Sequence, residues 1–185
     1  AGRMAKADIV EHFAFVSLLI AGVCLIFGAR NARAFAFPLA FLYFMVPFGA
    51  SALPALQETT TGLAATLLNL VGVNAGRAGF IITTAAGPFH IAPSCAGLNF
   101  LLASLMIASL FAETALSGWR ARVGFVFAAA VLAIAANALR AAIVIGAATL
   151  LGGAIAADHI LFGLIFYAML IAALIAAGGR LARAS

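Results

Sequence analysis

Charge is what this sequence has least of. Only 8% of its 185 residues are charged, against 66% that are hydrophobic. A soluble domain carries about 25% charged residues. The shortage excludes an ordinary soluble domain and points to an integral membrane protein. Cysteine is scarce as well, with Cys24 and Cys95 alone in the chain. Cys24 sits midway along an apolar run and reads as inert packing, whereas Cys95 stands beside Pro93, Ser94 and Gly97. Those contexts argue against a structural disulfide. Zinc-type and iron–sulfur spacings are missing, so no metal or cofactor is expected. Neither His-Glu-x-x-His nor Gly-x-Ser-x-Gly occurs, which leaves a zinc protease and a rhomboid-type serine protease without support. Repeated alternating segments are also missing, so an outer-membrane barrel is not indicated. The net charge of +5 is not a nucleic-acid signal, because the basic residues gather at the ends of apolar runs, as topology determinants do.

What is present is a series of long apolar runs. At about 20 residues per crossing, they predict one membrane-embedded domain over 1–185, an all-α bundle of five to six transmembrane helices. Ala1-Gly2-Arg3 ahead of Met4 reads as a tag remnant. The first span runs from about His12 to Ala29 and reads as retained, not cleaved. The basic link Arg30-Asn31-Ala32-Arg33 points to the cytoplasm. A second span covers about Ala34 to Ala55, with Pro38, Pro47 and Pro54 bending it or trimming its ends. Gln57 to Thr61 reads as a polar break, and Thr59 to Thr61 as caps for a short helix from about Gly62 to Val73. That helix reads as interfacial or half-inserted; a full crossing from Gln57 to Gly76 is the competing reading. Between Arg77 and Pro93 two β-prone pieces flank a turn at Gly87-Pro88, predicting a short hairpin at the water interface. The third span runs from about Ala96 to Ala112. Trp119, Arg120 and Arg122 place the next loop in the cytoplasm, and so Cys95 on the external side. The fourth span follows from Val123 to Leu151, ending at Gly152-Gly153. Asp158-His159 opens the fifth, to about Ala177, and Gly178-Gly179-Arg180 begins a basic tail.

Chemistry concentrates at one depth. Pro93-Ser94-Cys95-Ala96-Gly97-Leu98-Asn99-Phe100 places Cys95 at the first turn of a helix, where unpaired N–H groups and the positive dipole end favour thiolate. Arg140 lies 17 residues past Val123. At about 1.5 Å per residue that is ~25 Å, close to the outer edge of a hydrocarbon core about 30 Å thick. Cys95, Arg140 and His159 thus come to one level from three segments. An arginine inside a span is a functional-site hypothesis by default; the bland reading is snorkelling to external headgroups with Asn137 as helper. His159 reads as a base or as an interfacial anchor. Asn137 and Arg140 share a helix face, and so do Cys95 and Asn99, with Leu98 and Phe100 directed elsewhere. Asn99 orients a ligand carbonyl or joins helices. Asp158 pairs with Arg140, orients His159 or caps the fifth helix. His90 is a second candidate base. The N–H groups of Ala96 and Gly97 are candidate oxyanion donors.

Three short motifs carry a resemblance: Cys95-Ala96-Gly97, Asn137-Ala138-Leu139-Arg140 and His159-Ile160-Leu161-Phe162-Gly163. In order and spacing, over about Leu53 to Leu174, the sequence resembles the exosortase/archaeosortase family. These are multi-spanning membrane cysteine enzymes with a Cys–Arg–His triad on the non-cytoplasmic side. The resemblance implies catalytic Cys95, Arg140 and His159. It implies a bacterial inner-membrane peptidase or transpeptidase facing the periplasm. Its partners would be secreted proteins with a C-terminal sorting tail: a motif such as Pro-Glu-Pro, one transmembrane helix and a basic cluster. The acceptor would be a lipid, a glycan or water. The chain is shorter than commoner members, and Asn99-Phe100 departs from the usual continuation of the signature, which suggests a divergent subtype, the K type. Two readings of other classes stand beside it. A small transporter would need a polar file across the bilayer, but the polar residues gather at one face. An assembly subunit would use Arg140 and Asn137 to bind partner helices.

Overall fold

In the computed structural model, which describes residues 2–151 and 159–184, the chain forms two units, Ala1–Ser51 and Ala52–Ser185.

The first unit is led by α1 (Gly2–Ala32), whose helical path breaks at Gly28 with φ 74° and ψ 149°. That break falls where the first span was expected to stop. The second span is not continuous. Pro38 lies in a six-residue helix, α2 (Ala36–Phe41), followed by 3₁₀ turns at Leu42–Met45 and Phe48–Ala52. Proline removes backbone donors and clashes with the preceding turn, so helix cannot run through Pro47. Ser17 Oγ and Tyr43 OH share a hydrogen bond of 2.9 Å inside this unit.

In the second unit, α3 (Leu53–Leu70) begins with Pro54 at its first turn, where a missing N–H costs nothing. It runs straight through Gln57–Thr61, so that stretch is no break. Leu56, Gln57, Thr60, Thr61, Ala64, Ala65 and Leu68 are all buried, the i, i+3, i+4 spacing of one helix face. Three antiparallel strands follow: β1 (Gly76–Ala78), β2 (Ile81–Thr84) and β3 (Gly87–His90). Ile82 pairs with Phe89, and Ile81 with His90. The expected hairpin is present with a third strand added, and its turn falls at Ala85-Ala86, so Gly87-Pro88 opens β3.

The remaining helices are α4 (Leu98–Ala115), α5 (Trp119–Leu151) and α6 (His159–Ala184). α5 packs on α3 and on α4, and α6 packs on both α4 and α5. One core lies between α3, α5 and the sheet, with Ala64, Leu68, Ile82, Ile91, Ala142 and Ile145. A second joins α4, α5 and α6 through Ala108, Ala112, Ala129, Ala133 and Leu170. Alanine at four-residue intervals on both α4 and α5 lets the backbones approach closely, as membrane helices do. Gly178 and Gly179 do not end α6. A Cβ at Gly178 would sit 2.4 Å from the Phe111 ring, so that glycine makes room for an aromatic side chain within a continuing helix.

Among the described residues, four helices are long and apolar enough to cross a membrane: Ile9–Gly28, Pro93–Ala115, Trp119–Leu151 and Gly163–Arg183. A fifth is added if 30–45 and 49–70 form one broken span. The upper count meets the lower end of the expected five to six. Large apolar side chains stand exposed along these helices, among them Leu25, Phe127, Leu150 and Leu164, as lipid-facing surfaces require. The chain is an all-α integral membrane protein with a small β-sheet.

Candidate active site

Cys95 does not stand in the first turn of α4. It closes a 3₁₀ turn, Pro93–Cys95, and Gly97 then takes a left-handed conformation, φ 88°, as the residue before the helix. This chain reversal needs glycine on two counts. Positive φ is costly for any residue with a Cβ, and a Cβ here would lie 2.6 Å from Asn137 Cγ and Nδ2. The interruption also separates Cys95 from Asn99, so the two do not share a helix face. Asn99 instead lines the groove between α4 and α6.

The segment carrying Cys95 is gripped by side chains. Asn137 Nδ2 donates to the Cys95 carbonyl at 3.0 Å and to Thr60 Oγ1 at 3.1 Å. Thr60 Oγ1 donates to the Ala96 carbonyl at 3.2 Å, and Gln57 Nε2 donates to the Ile91 carbonyl. Gln57, Thr60 and Asn137 are 6%, 1% and 3% exposed. Within the segment, Cys95 N–H donates to Ala92 O at 2.8 Å and Ala96 N–H to Pro93 O at 3.2 Å. The Cys95 side chain is half-buried and packs against the core between α3, α5 and the sheet. Both cysteines are free. The Ser94 hydroxyl is 4.0 Å from Cys95 Sγ.

Arg140 lies one turn beyond Asn137 on α5. Its guanidinium carbon is 5.4 Å from the centre of the Phe100 ring, a cation–π distance, so Phe100 faces the site and is not directed elsewhere. A Cβ at Gly163 would come 3.2 Å from Arg140 Nε and 3.4 Å from Nη2. The guanidinium therefore crosses the α6 backbone at a point where no side chain stands in the way. Arg140 Nε is buried with no hydrogen-bond partner among the described residues, and no described carboxylate pairs with the guanidinium.

His159 opens α6. Gly163 is four residues further on, so the two backbone positions share one helical face, the face that meets Arg140. Asp158 lies outside the described residues. His90 ends β3 and is exposed. Its neighbour Phe89 packs on the same core as Cys95, so strand alternation turns His90 to the other sheet face. Beside Arg140's partners Phe100 and Gly163 lies a groove of about 330 Å³, lined also by Asn99, Ala103, Leu164 and Tyr167.

Gln57, Thr60 and Phe100 were not legible as site residues. For the first two the signal was present in their spacing with Ala64 and Leu68, seven and eleven residues beyond Gln57 and four and eight beyond Thr60, which reads as a helix face and not as a break. Phe100 carries no polar atom, and only the approach of α5 to α4 reveals its contact.

No curated protein and no solved structure matches the chain. A family model, described as transmembrane exosortase, matches residues 1–176. With a match that spans nearly the whole sequence, including all three motifs, the chain belongs to the transmembrane exosortase family.

Proposed function

We propose that this protein is a membrane-embedded cysteine peptidase or transpeptidase that acts on the C-terminal sorting tail of secreted proteins at the external membrane face. The observation that carries the reading is the double hold of α5. Asn137 binds the carbonyl of Cys95, and one turn on, Arg140 reaches the α6 face on which His159 stands. Two neighbouring positions on one rigid helix thus set the nucleophile segment against a cation.

In this reading Cys95 is the nucleophile. Its sulfur bonds to the scissile carbonyl carbon, and the carbonyl pair moves to oxygen. His159 takes the thiol proton and delivers it to the leaving amine as the C–N bond breaks. Arg140 stabilises the thiolate and then the oxyanion, with the Gly97 N–H as a further donor. The Ala96 N–H is held by Pro93 O and must exchange that bond to take part. Removing one such donor lowers turnover by about 10²–10³. The thioester is resolved by water or by the hydroxyl or amine of a lipid or glycan acceptor. The C–S bond breaks, the acyl group passes to the acceptor and the acceptor's proton returns to the thiol.

Topology supports the placement. Arg30 and Arg33, then Arg120 and Arg122, then Arg180 and Arg183 lie on the cytoplasmic side by the positive-inside rule, which puts Cys95 outside the inner membrane. The test is processing of a co-expressed protein bearing a sorting tail, by wild type and by Cys95→Ala, Arg140→Ala and His159→Ala at matched membrane levels. Wild type trims the tail and all three variants fail. The mass of the new C-terminus separates hydrolysis from transfer. Trimming by Cys95→Ala at the wild-type rate overturns the assignment.

A further inference from the structure

We infer that Gln57 and Thr60 are positioning residues for the nucleophile: with Asn137 they form a clasp from α3 and α5 that holds the 91–97 segment by its carbonyls. The inference rests on the reading of Cys95 as the nucleophile, and it adds a helix on which none of the three motifs lies.

Three carbonyls in this segment accept from side chains of other elements: Ile91 from Gln57, Cys95 from Asn137 and Ala96 from Thr60. The segment's own N–H groups are spent nearby, Ile91 on Phe80 O, Cys95 on Ala92 O and Ala96 on Pro93 O. α4, which starts only at Leu98, reaches the Gly97 carbonyl through Leu101 N–H, but neither it nor the sheet, which stops at His90, is seen to bond these three carbonyls. Thr60 is the joint of the clasp. Its hydroxyl accepts from Asn137 Nδ2 and donates to Ala96 O, so both partners fix its orientation. Gln57 stands three residues earlier on the same helix face.

Burying two side-chain amides and a hydroxyl between helices is costly unless they are bonded. An apolar pair at 57 and 60 would serve packing alone. The bonds therefore account for the polar identities. They are made in a low-dielectric interior, where such contacts are strongest and most sensitive to loss. Because Asn137 is one turn from Arg140 on α5, a clasp that fixes Asn137 also fixes the register of Cys95 against the guanidinium. Loss of the Thr60 hydroxyl leaves Ala96 O without its donor and Asn137 without one acceptor, and lets the segment loosen around Cys95.

The test uses the full-length protein in membranes, with Cys24→Ala so that Cys95 is the single thiol. Thr60→Val removes the hydroxyl at constant shape, Thr60→Ser keeps it, and Gln57→Leu removes the second bond. Two readouts are taken: the rate at which N-ethylmaleimide alkylates Cys95, and kcat and KM on a sorting-tail protein. Thr60→Val raises the alkylation rate of the half-buried thiol and lowers kcat, each by roughly tenfold, with KM unchanged. Thr60→Ser stays within about twofold of wild type on both. Gln57→Leu moves both in the same direction as Thr60→Val, and it decides the question if Thr60→Val fails to reach the membrane. Wild-type alkylation and kcat in Thr60→Val, or equal damage from Thr60→Ser, overturns the clasp and assigns position 60 to packing. If wild type does not process the tail, the proposed function fails, while the alkylation rates still decide the clasp.

Discussion

Replacing Gly97 by alanine probes the joint between the nucleophile segment and α5. Two costs add. The backbone is at φ 88°, and a Cβ in the left-handed region costs about 1–2 kcal/mol. That Cβ would also lie 2.6 Å from Asn137 Cγ and Nδ2 and 2.9 Å from Asn137 Cβ. Relieving such an overlap in a packed interior costs about 1–3 kcal/mol. If Asn137 moves away, it gives up its bond to the Cys95 carbonyl, about 1 kcal/mol more. Gly118 supplies an internal control, because it has the same φ of 88° and nothing within 4 Å of its would-be Cβ. Gly118→Ala should therefore show the strain alone. The difference between the two variants isolates the Asn137 contact at about 2–4 kcal/mol. The assay is denaturant unfolding of the detergent-solubilised protein, run for both variants and for Gly97→Ala/Asn137→Ala. In the double variant two of the three close atoms are gone, so its cost should fall well short of the sum of the singles. Equal costs for Gly97→Ala and Gly118→Ala would refute the argument.

Gly163→Leu should fill the space over which the Arg140 guanidinium crosses α6, displacing it and lowering processing by tenfold or more on the scale of a lost electrostatic donor; Gly163→Ala, which needs a shift of a few tenths of an ångström, should be much milder, and kcat on a tail substrate orders the three proteins. Ser104 is fully buried on α4 with its hydroxyl unpartnered among the described residues. Ser104→Ala should leave the melting temperature unchanged or raise it, since the removed group carries a desolvation cost of about 1–3 kcal/mol; a clear fall in Tm contradicts the assignment.

Long apolar runs made α1, α4, α5 and α6 legible, because crossing a bilayer demands about 20 apolar residues whatever the tertiary packing. Asn137 and Arg140 were legible for the opposite reason: a polar pair inside such a run requires an explanation. The polarity of Gln57 to Thr61 suggests a break, whereas the spacing of Gln57, Thr60 and Thr61 with Ala64 and Leu68 marks one buried helix face. The Gln57 and Thr60 side chains face inward to hydrogen-bond the backbone of another segment, a demand that no local pattern states. The shared face of Cys95 and Asn99 assumed unbroken helix, and Gly97 interrupts it with a positive φ. Gly178 looked like a helix end, but its reason is Phe111 on another helix. The meeting of Arg140 with Phe100 and Gly163 depends on three helices crossing, which spacing along one chain does not encode.

The central claim is that Cys95 becomes covalently bound to substrate. The most direct measurement is mass spectrometry of the enzyme purified with a sorting-tail protein, with and without hydroxylamine. The account predicts an adduct on the peptide containing Cys95, released by hydroxylamine as a thioester must be and absent in Cys95→Ala. A tail that is processed at the wild-type rate by Cys95→Ala, with no adduct at any time point, would contradict it.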